Sequence, residues 1–273
     1  MIELRRDVAP HEVVVLLRDL ARELANLRGA GGSGVDMLNA WRTWSATAPG
    51  RAQRLLTSES VRRVVLGQQF SLMQTLAPAD YGPGLAFFVD AELEARIADM
   101  EDAARDVESH LTSWGRGRLA VIVDTNVLLA AGPRLGRIDW DGVLRQIARG
   151  AAFAVPIQAV EELDRMKDRG NGEQRANARH ALSWLDEIMD FGSGARPFPT
   201  RTPDTTIRVW VDDNDRIPLA EVDRDIIDRA VQLQPFTKKT IVVSMDRSMA
   251  FRARTSGLDA VLLLDNDIPP RTM

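Results

Sequence analysis

The sequence predicts an α/β fold for the C-terminal half of the chain, a three-layer α/β/α sandwich with a central mostly parallel sheet, preceded by an all-α helical domain. Three observations carry this. After Leu119, short apolar runs of strand length alternate with segments of helical period, the pattern of parallel strands joined by right-handed crossovers. Before Trp114, apolar residues recur instead at intervals of three and four, the stripe of a helix that buries one face. Between the two, the glycine-rich GRGR from Gly115 to Arg118 breaks the last helix just before an apolar strand. The domain boundary is placed there, with a helical domain at 1–115 and a second domain at 118–268.

Taken in order, Val13, Leu17, Leu20, Leu24 and Leu27 mark a first helix, ended by RGAGGSG at 28–34. Met37 to Thr47 is a short helix with Trp41 and Trp44 at helical spacing, and Ser58 to Leu76 reads as a further helix stopped by Pro78. The clearest helix runs from Val89 to Trp114, where Leu93, Ile97, Met100, Ala104, Val107 and Leu111 hold a four-three rhythm. That seam is expected either to form the spine of a bundle or to join two copies as a homo-oligomer. Then LAVIVDTNVLLAAG, Leu119 to Gly132, presents a buried strand closed by a polar triplet. Beyond it the pattern gives a helix at 140–149, a strand at 151–155, helices at 156–169 and 175–189, and an edge strand at 207–211. A helix at 221–233, a strand at 240–244, a helix at 248–256 and a strand at 260–264 complete it. RGNGEQRAN and GSGARPFPTRTPD are expected to be mobile loops.

Composition narrows the function classes. The 273 residues are 45% apolar, enough for a packed core. There is no cysteine, which excludes disulfides, thiolate metal sites and cysteine nucleophiles, and fits a cytoplasmic location. The N-terminus has acids on both flanks of its apolar run, so neither a signal peptide nor a membrane span is expected. Net charge is −4, with 13 basic and 16 acidic side chains in the first 117 residues and 22 and 23 in the remainder, so nucleic-acid binding would have to come from local patches. His110 and His180 have no partner at ligand spacing.

Four acids are singled out by position. Asp124 ends the first strand of the second domain, and Asp246 follows the strand TIVVS at the same topological place. Glu162 borders the inward face of its helix, whereas Glu161 has Arg165 at i+4 and reads as a solvated pair. Asp223 lies one turn before Ile226 and Ile227; Asp225 faces Arg229 at i+4 and reads as an exposed pair. Each has a plainer role available, as a helix cap or as surface charge. Converging carboxylates repel unless a cation sits among them, and with oxygen donors alone the fitting ions are Mg²⁺ and Mn²⁺. Such a cluster suits hydrolysis of a phosphodiester by water.

The segments VIVDTNVLL, VPIQAVEELDRMK, DRDIIDRAV and VVSMDRSMAFRARTSGL together resemble the PIN domain, the metal-dependent nuclease fold of many single-strand-specific ribonucleases. The resemblance spans about Leu119 to Asp265 and leaves the helical domain unassigned. It implies a PIN-like fold, an endoribonuclease acting on single-stranded RNA, a Mg²⁺ or Mn²⁺ cofactor, and an acidic site at Asp124, Glu162, Asp223 and Asp246, with Asp225 as a fifth candidate ligand. Asn126 and Ser244 fall on its accompanying polar positions; Met245 departs from the asparagine common there. EELDRMK is closer to the larger PIN proteins than to the minimal toxin type, and both an inhibitor partner and a toxin role are left open. Arg165, Lys167, Arg169, Arg175 and Arg179 on one side, and Arg247, Arg252 and Arg254 on the other, are candidates for substrate contact, and Trp41 with Trp44 for base stacking. The competing readings are a PIN-fold RNA-binding or assembly module without cleavage, a DNA nuclease, and an aspartate-nucleophile phosphatase. The last needs a second aspartate where Asn126 stands.

Overall fold

The apolar run at 119–123 becomes the central strand of a six-stranded sheet. The computed structural model describes residues 2–115, 117–189, 194–198, 200–211 and 218–270. Its strands are β1 (Leu119–Val123), β2 (Ala152–Pro156), β3 (Arg196–Pro197), β4 (Thr206–Trp210), β5 (Lys239–Ser244) and β6 (Asp259–Leu262). They lie in the order β3-β4-β2-β1-β5-β6, every pairing parallel except the two-residue β3 against β4. β1 and β2 are buried along their whole length, which explains why both read as unbroken apolar runs and not as alternating ones.

Helices cover both faces. On one, Val121, Val123, Phe153, Val155 and Val243 share a core with Ala159, Leu163, Ala178, Ala181 and Leu185 of the helices Ile157–Arg169 and Gly172–Met189. Phe153 anchors it, with its ring centroid 4.8 Å from both Trp140 and Phe198. The helices Val222–Leu233 and Arg247–Thr255 pack on β5 and bury Ile226, Ala230, Met249 and Ala253. Each fully buried aliphatic side chain contributes roughly 1.5–3 kcal/mol relative to exposure.

Topology positions the site. The chain moves outward from β1 through β2 to β4, then returns to the other side of β1 for β5 and β6. Strand order reverses beside β1, and in open parallel sheets a crevice opens at the carboxyl ends of the strands that flank such a reversal. Here those strands are β1 and β5, in register from Leu119 with Lys239 to Val123 with Val243. They end at Asp124 and Ser244.

Several expectations are corrected. The strand at 207–211 is not an edge, because β3 pairs with its outer side. The helix expected at 140–149 stops at Leu144, where Arg145 turns left-handed at φ 52°. The second apolar run after Asp124, which the sequence pattern left unassigned, is the helix Thr125–Ala131. Of RGNGEQRAN only Gly170 and Asn171 connect two helices, the rest belonging to their ends, and Asn171 and Gln174 cap each other's backbone N–H groups at 2.9 and 3.1 Å. GSGARPFPTRTPD lies partly outside the described residues; its described part carries β3 and a threonine network in which the Thr205 hydroxyl donates to the Phe198 carbonyl at 3.0 Å.

The chain divides into two compact units, 1–112 and 113–273. In the first, the helices Pro10–Gly29 and Leu85–Trp114 run antiparallel, tied by Arg18 to Glu108 at 2.7 Å and Arg28 to Asp90 at 2.6 Å. Leu93, Met100, Ala104 and Val107 are buried in the folded chain, as in the spine of a bundle. Trp41 is 1% exposed and packs on Phe70, which removes it as a base-stacking platform; Trp44 donates to Glu23 at 3.1 Å. The helix expected over 58–76 is broken at Gly67, whose φ of 75° and missing Cβ make room for the Arg96 guanidinium, 2.3 Å from where a Cβ would stand. Among the described residues, no helix is long and apolar enough to cross a membrane.

Candidate active site

Asp124 leaves β1 with an extended backbone and caps the helix Thr125–Ala131. Its carboxylate is fixed at both oxygens: Oδ1 accepts from the Thr125 N–H at 2.7 Å and Oδ2 from the Ser244 hydroxyl at 2.6 Å. Ser244, fully buried at the end of β5, also accepts the Asp246 N–H at 2.9 Å, so one hydroxyl joins the two strand ends. Asp246 caps the helix Arg247–Thr255 by accepting from the Ser248 N–H at 2.7 Å and the Ser248 hydroxyl at 3.0 Å. The plain capping role is therefore real for both aspartates. It does not exhaust them, since each carboxylate oxygen accepts one such bond and has a further lone pair.

The other two acids approach from helices. Glu162 is half-buried on Ile157–Arg169, while Glu161 is exposed and pairs with Arg165 at 3.4 Å. Asp223 is half-buried in the first turn of Val222–Leu233, after Glu221, which holds Arg224 at 2.9 Å and Arg252 at 3.2 Å. The charges of the four acids act on one another in pairs. Burial pushes the Asp124 carboxyl up to about 6, and repulsion from Asp223 and Glu162 adds to it, against the hydrogen bonds from Ser244 and Thr125. Burial likewise raises Asp223, where Asp246, Glu162 and Glu221 repel and Arg252 attracts. Asn126, Met245, Asp246 and Arg247 line an open cleft of about 610 Å³.

Asp225 differs from expectation. It is fully buried, and its Oδ1 accepts the Leu219 N–H at 2.7 Å, pinning the turn before the helix. Arg229 is buried as well, donating to Gln158, the Trp210 carbonyl and the Val211 carbonyl while lying 4.1 Å over the Trp210 ring. The two are therefore interior groups and not an exposed pair. Burial follows from the apolar neighbours Ile226 and Ile227, which turn this side of the helix inward.

Of the basic candidates, Arg247 stands at the cleft and Arg252 beside Asp223. Lys167 is paired with Asp164 at 2.6 Å and Arg179 donates to the Lys167 carbonyl at 3.4 Å; Arg165 is held by Glu161, and Arg175 is exposed. Sequence reasoning missed Glu221, whose spacing to Arg224 was a usable signal, and the Thr125 hydroxyl. That hydroxyl is buried next to Asp124 with no hydrogen-bond partner among the described residues.

These residues fit a hard divalent cation. The donors are oxygen alone, burial and the charge of neighbouring acids raise both Asp124 and Asp223, and a buried hydroxyl beside Asp124 has no hydrogen-bond partner among the described residues. Among the described residues no three carboxylate or imidazole groups form a ready-made cage.

Among solved structures, the chain is similar to one described as a domain of a functionally unknown protein from Methanocaldococcus jannaschii DSM 2661. The identity is 17% and the TM-score 0.32, over 53% of this chain and 91% of that one. No curated protein matches. The PIN domain model matches residues 121–263, more than half of the chain, and includes both strand ends and all four acids. The chain belongs to the PIN domain family, a nuclease-type fold.

Proposed function

We propose that this chain is a divalent-metal-dependent endoribonuclease that hydrolyses phosphodiester bonds of single-stranded RNA. One observation carries the reading: Asp124, locked at both oxygens beside the strand reversal, lies in the repulsive field of Asp223 and Glu162. Capping accounts for its hydrogen bond to Thr125 but gives no reason for two further acids to stand near it. A bound divalent cation supplies positive charge that polarises the phosphate and makes the attacking water more acidic.

The chain's own residues do the rest. Asp124, Glu162, Asp223 and Asp246 would hold the cation. Ser244 and the Thr125 N–H keep the Asp124 oxygens from rotating, so its remaining lone pairs keep one direction. Arg247 and Asn126, lining the open cleft, would receive the strand's phosphate and sugar. One turn beyond Arg247, Phe251 is 64% exposed and offers a face for a base. The Ser244 hydroxyl is fully buried and committed to Asp124, so water is the proposed nucleophile.

The test uses purified protein, Mn²⁺, and unstructured RNA and single-stranded DNA of the same sequence. RNA should be cleaved internally, and Asp124→Asn should remove cleavage while the circular-dichroism spectrum is kept. Equal cleavage by the variant would sink the proposal, and preference for DNA would reassign the substrate.

A further inference from the structure

We propose that Arg229 is a positioning residue that sets the gap between Glu162 and Asp223 in the crevice. This rests on the nuclease reading above. Asp124 and Asp246 follow paired strands, and the register of β1 with β5 places them. Glu162 and Asp223 have no strand directly before them. Glu162 stands on Ile157–Arg169, which packs against β2, and Asp223 on Val222–Leu233, which packs against β5. Strand pairing does not set the height of one helix against the other.

Arg229 spans that gap. It lies on the helix of Asp223, less than two turns beyond it, and is 3% exposed. Its Nη1 donates to the Gln158 side-chain oxygen at 2.9 Å, and Gln158 precedes Glu162 by one turn on the same face of its helix. Nη1 also donates to the Trp210 carbonyl and Nη2 to the Val211 carbonyl, each at 3.0 Å. The guanidinium therefore joins both of these acid-bearing helices to the end of β4. The Trp210 ring, 4.1 Å from it, fixes the plane of the fork.

Stability alone gives no reason for an arginine here. Burying a cation costs desolvation, and an apolar side chain of similar volume often serves the interior as well or better. What an apolar side chain lacks is direction. Three hydrogen bonds from one rigid fork fix a distance and an angle between the elements, and a lysine, with all its donors on one atom, does not reproduce that geometry. The acceptors belong to the helix of Glu162 and to the strand end beside it, so the direction being fixed is that of the crevice.

The experiment uses the full chain with Arg229→Lys, Gln158→Met and the double variant, all well below their melting temperatures. The readouts are the Mn²⁺ dissociation constant by calorimetry, and kcat and KM on single-stranded RNA. Each single variant should weaken Mn²⁺ binding about tenfold and lower kcat about tenfold, with KM for RNA little changed. The double variant should lose no more than Arg229→Lys alone, because both changes break one tie. Gln158→Met keeps the side-chain length and decides alone if Arg229→Lys does not fold. Wild-type kcat and Mn²⁺ affinity in folded Gln158→Met, whatever its melting temperature, would overturn the tie and leave the nuclease reading intact. Losses that multiply in the double variant would do the same. If the wild type binds Mn²⁺ but cleaves no RNA, the nuclease reading falls and the Mn²⁺ constants judge the tie; if it binds none, both fall.

Discussion

In the helical unit an acid meets a base: Asp90 lies 2.6 Å from Arg28, Glu108 2.7 Å from Arg18, and even the buried Glu92 has Arg96 at 3.0 Å. At the carboxyl edge of the sheet, Asp124 instead faces Asp223 and Glu162. The first arrangement satisfies charge where it arises. The second leaves it unsatisfied inside a crevice, which is destabilising unless something positive arrives. The contrast teaches where to look for chemistry: not at the most charged surface, but where like charges are brought together by backbone that has no local reason to do so.

The comparison can be broken in order of effect. Ser244→Ala removes the hydroxyl that fixes Asp124 and joins the strand ends. Cleavage should fall by about 10- to 100-fold, the usual loss when a ligand's supporting hydrogen bond goes, and steady-state kinetics on RNA would show it. Gly67→Ala strikes the helical unit, where a Cβ would collide with Arg96 at a left-handed backbone position. It should destabilise by more than about 1 kcal/mol in urea unfolding without changing the cleavage-site pattern.

The pH dependence follows from Asp124. Its carboxyl is raised from 3.8 to about 6 in the folded chain, so the folded state binds this proton more tightly than the unfolded one. The contribution to stability is full below about pH 4 and is lost as pH rises through 6, about 3 kcal/mol as an upper bound. The metal-free protein should therefore unfold more readily at pH 7.5 than at pH 5 from this group, and Asp124→Asn should flatten that slope in melts across the range. The smallest effect belongs to Arg28→Ala, a surface pairing whose loss should leave both melting temperature and cleavage near wild type.

Much of the α/β unit was legible because parallel strands, buried on both faces, print their burial directly as apolar runs; β1 and β2 are examples. Asp124 and Asp246 could be placed at strand ends for the same reason. What was hidden depended on tertiary contacts. Asp225 read as a surface pair because i, i+4 spacing says nothing about what covers it, and only the fold shows that its carboxylate is enclosed and bound to the Leu219 amide. The helix over 58–76 kept its period through Gly67, and the reason it breaks there, Arg96, lies on another helix. The tie at Arg229 was invisible because its side-chain acceptor, Gln158, lies 71 positions away in the sequence.

The most direct measurement is calorimetric titration of Mn²⁺ into wild type and Asp124→Asn at pH 7.5, where the Asp124 carboxylate is ionised. The acid crevice predicts saturable binding by the wild type and its loss, or at least a hundredfold weakening, in the variant. Equal Mn²⁺ affinity in both would contradict it.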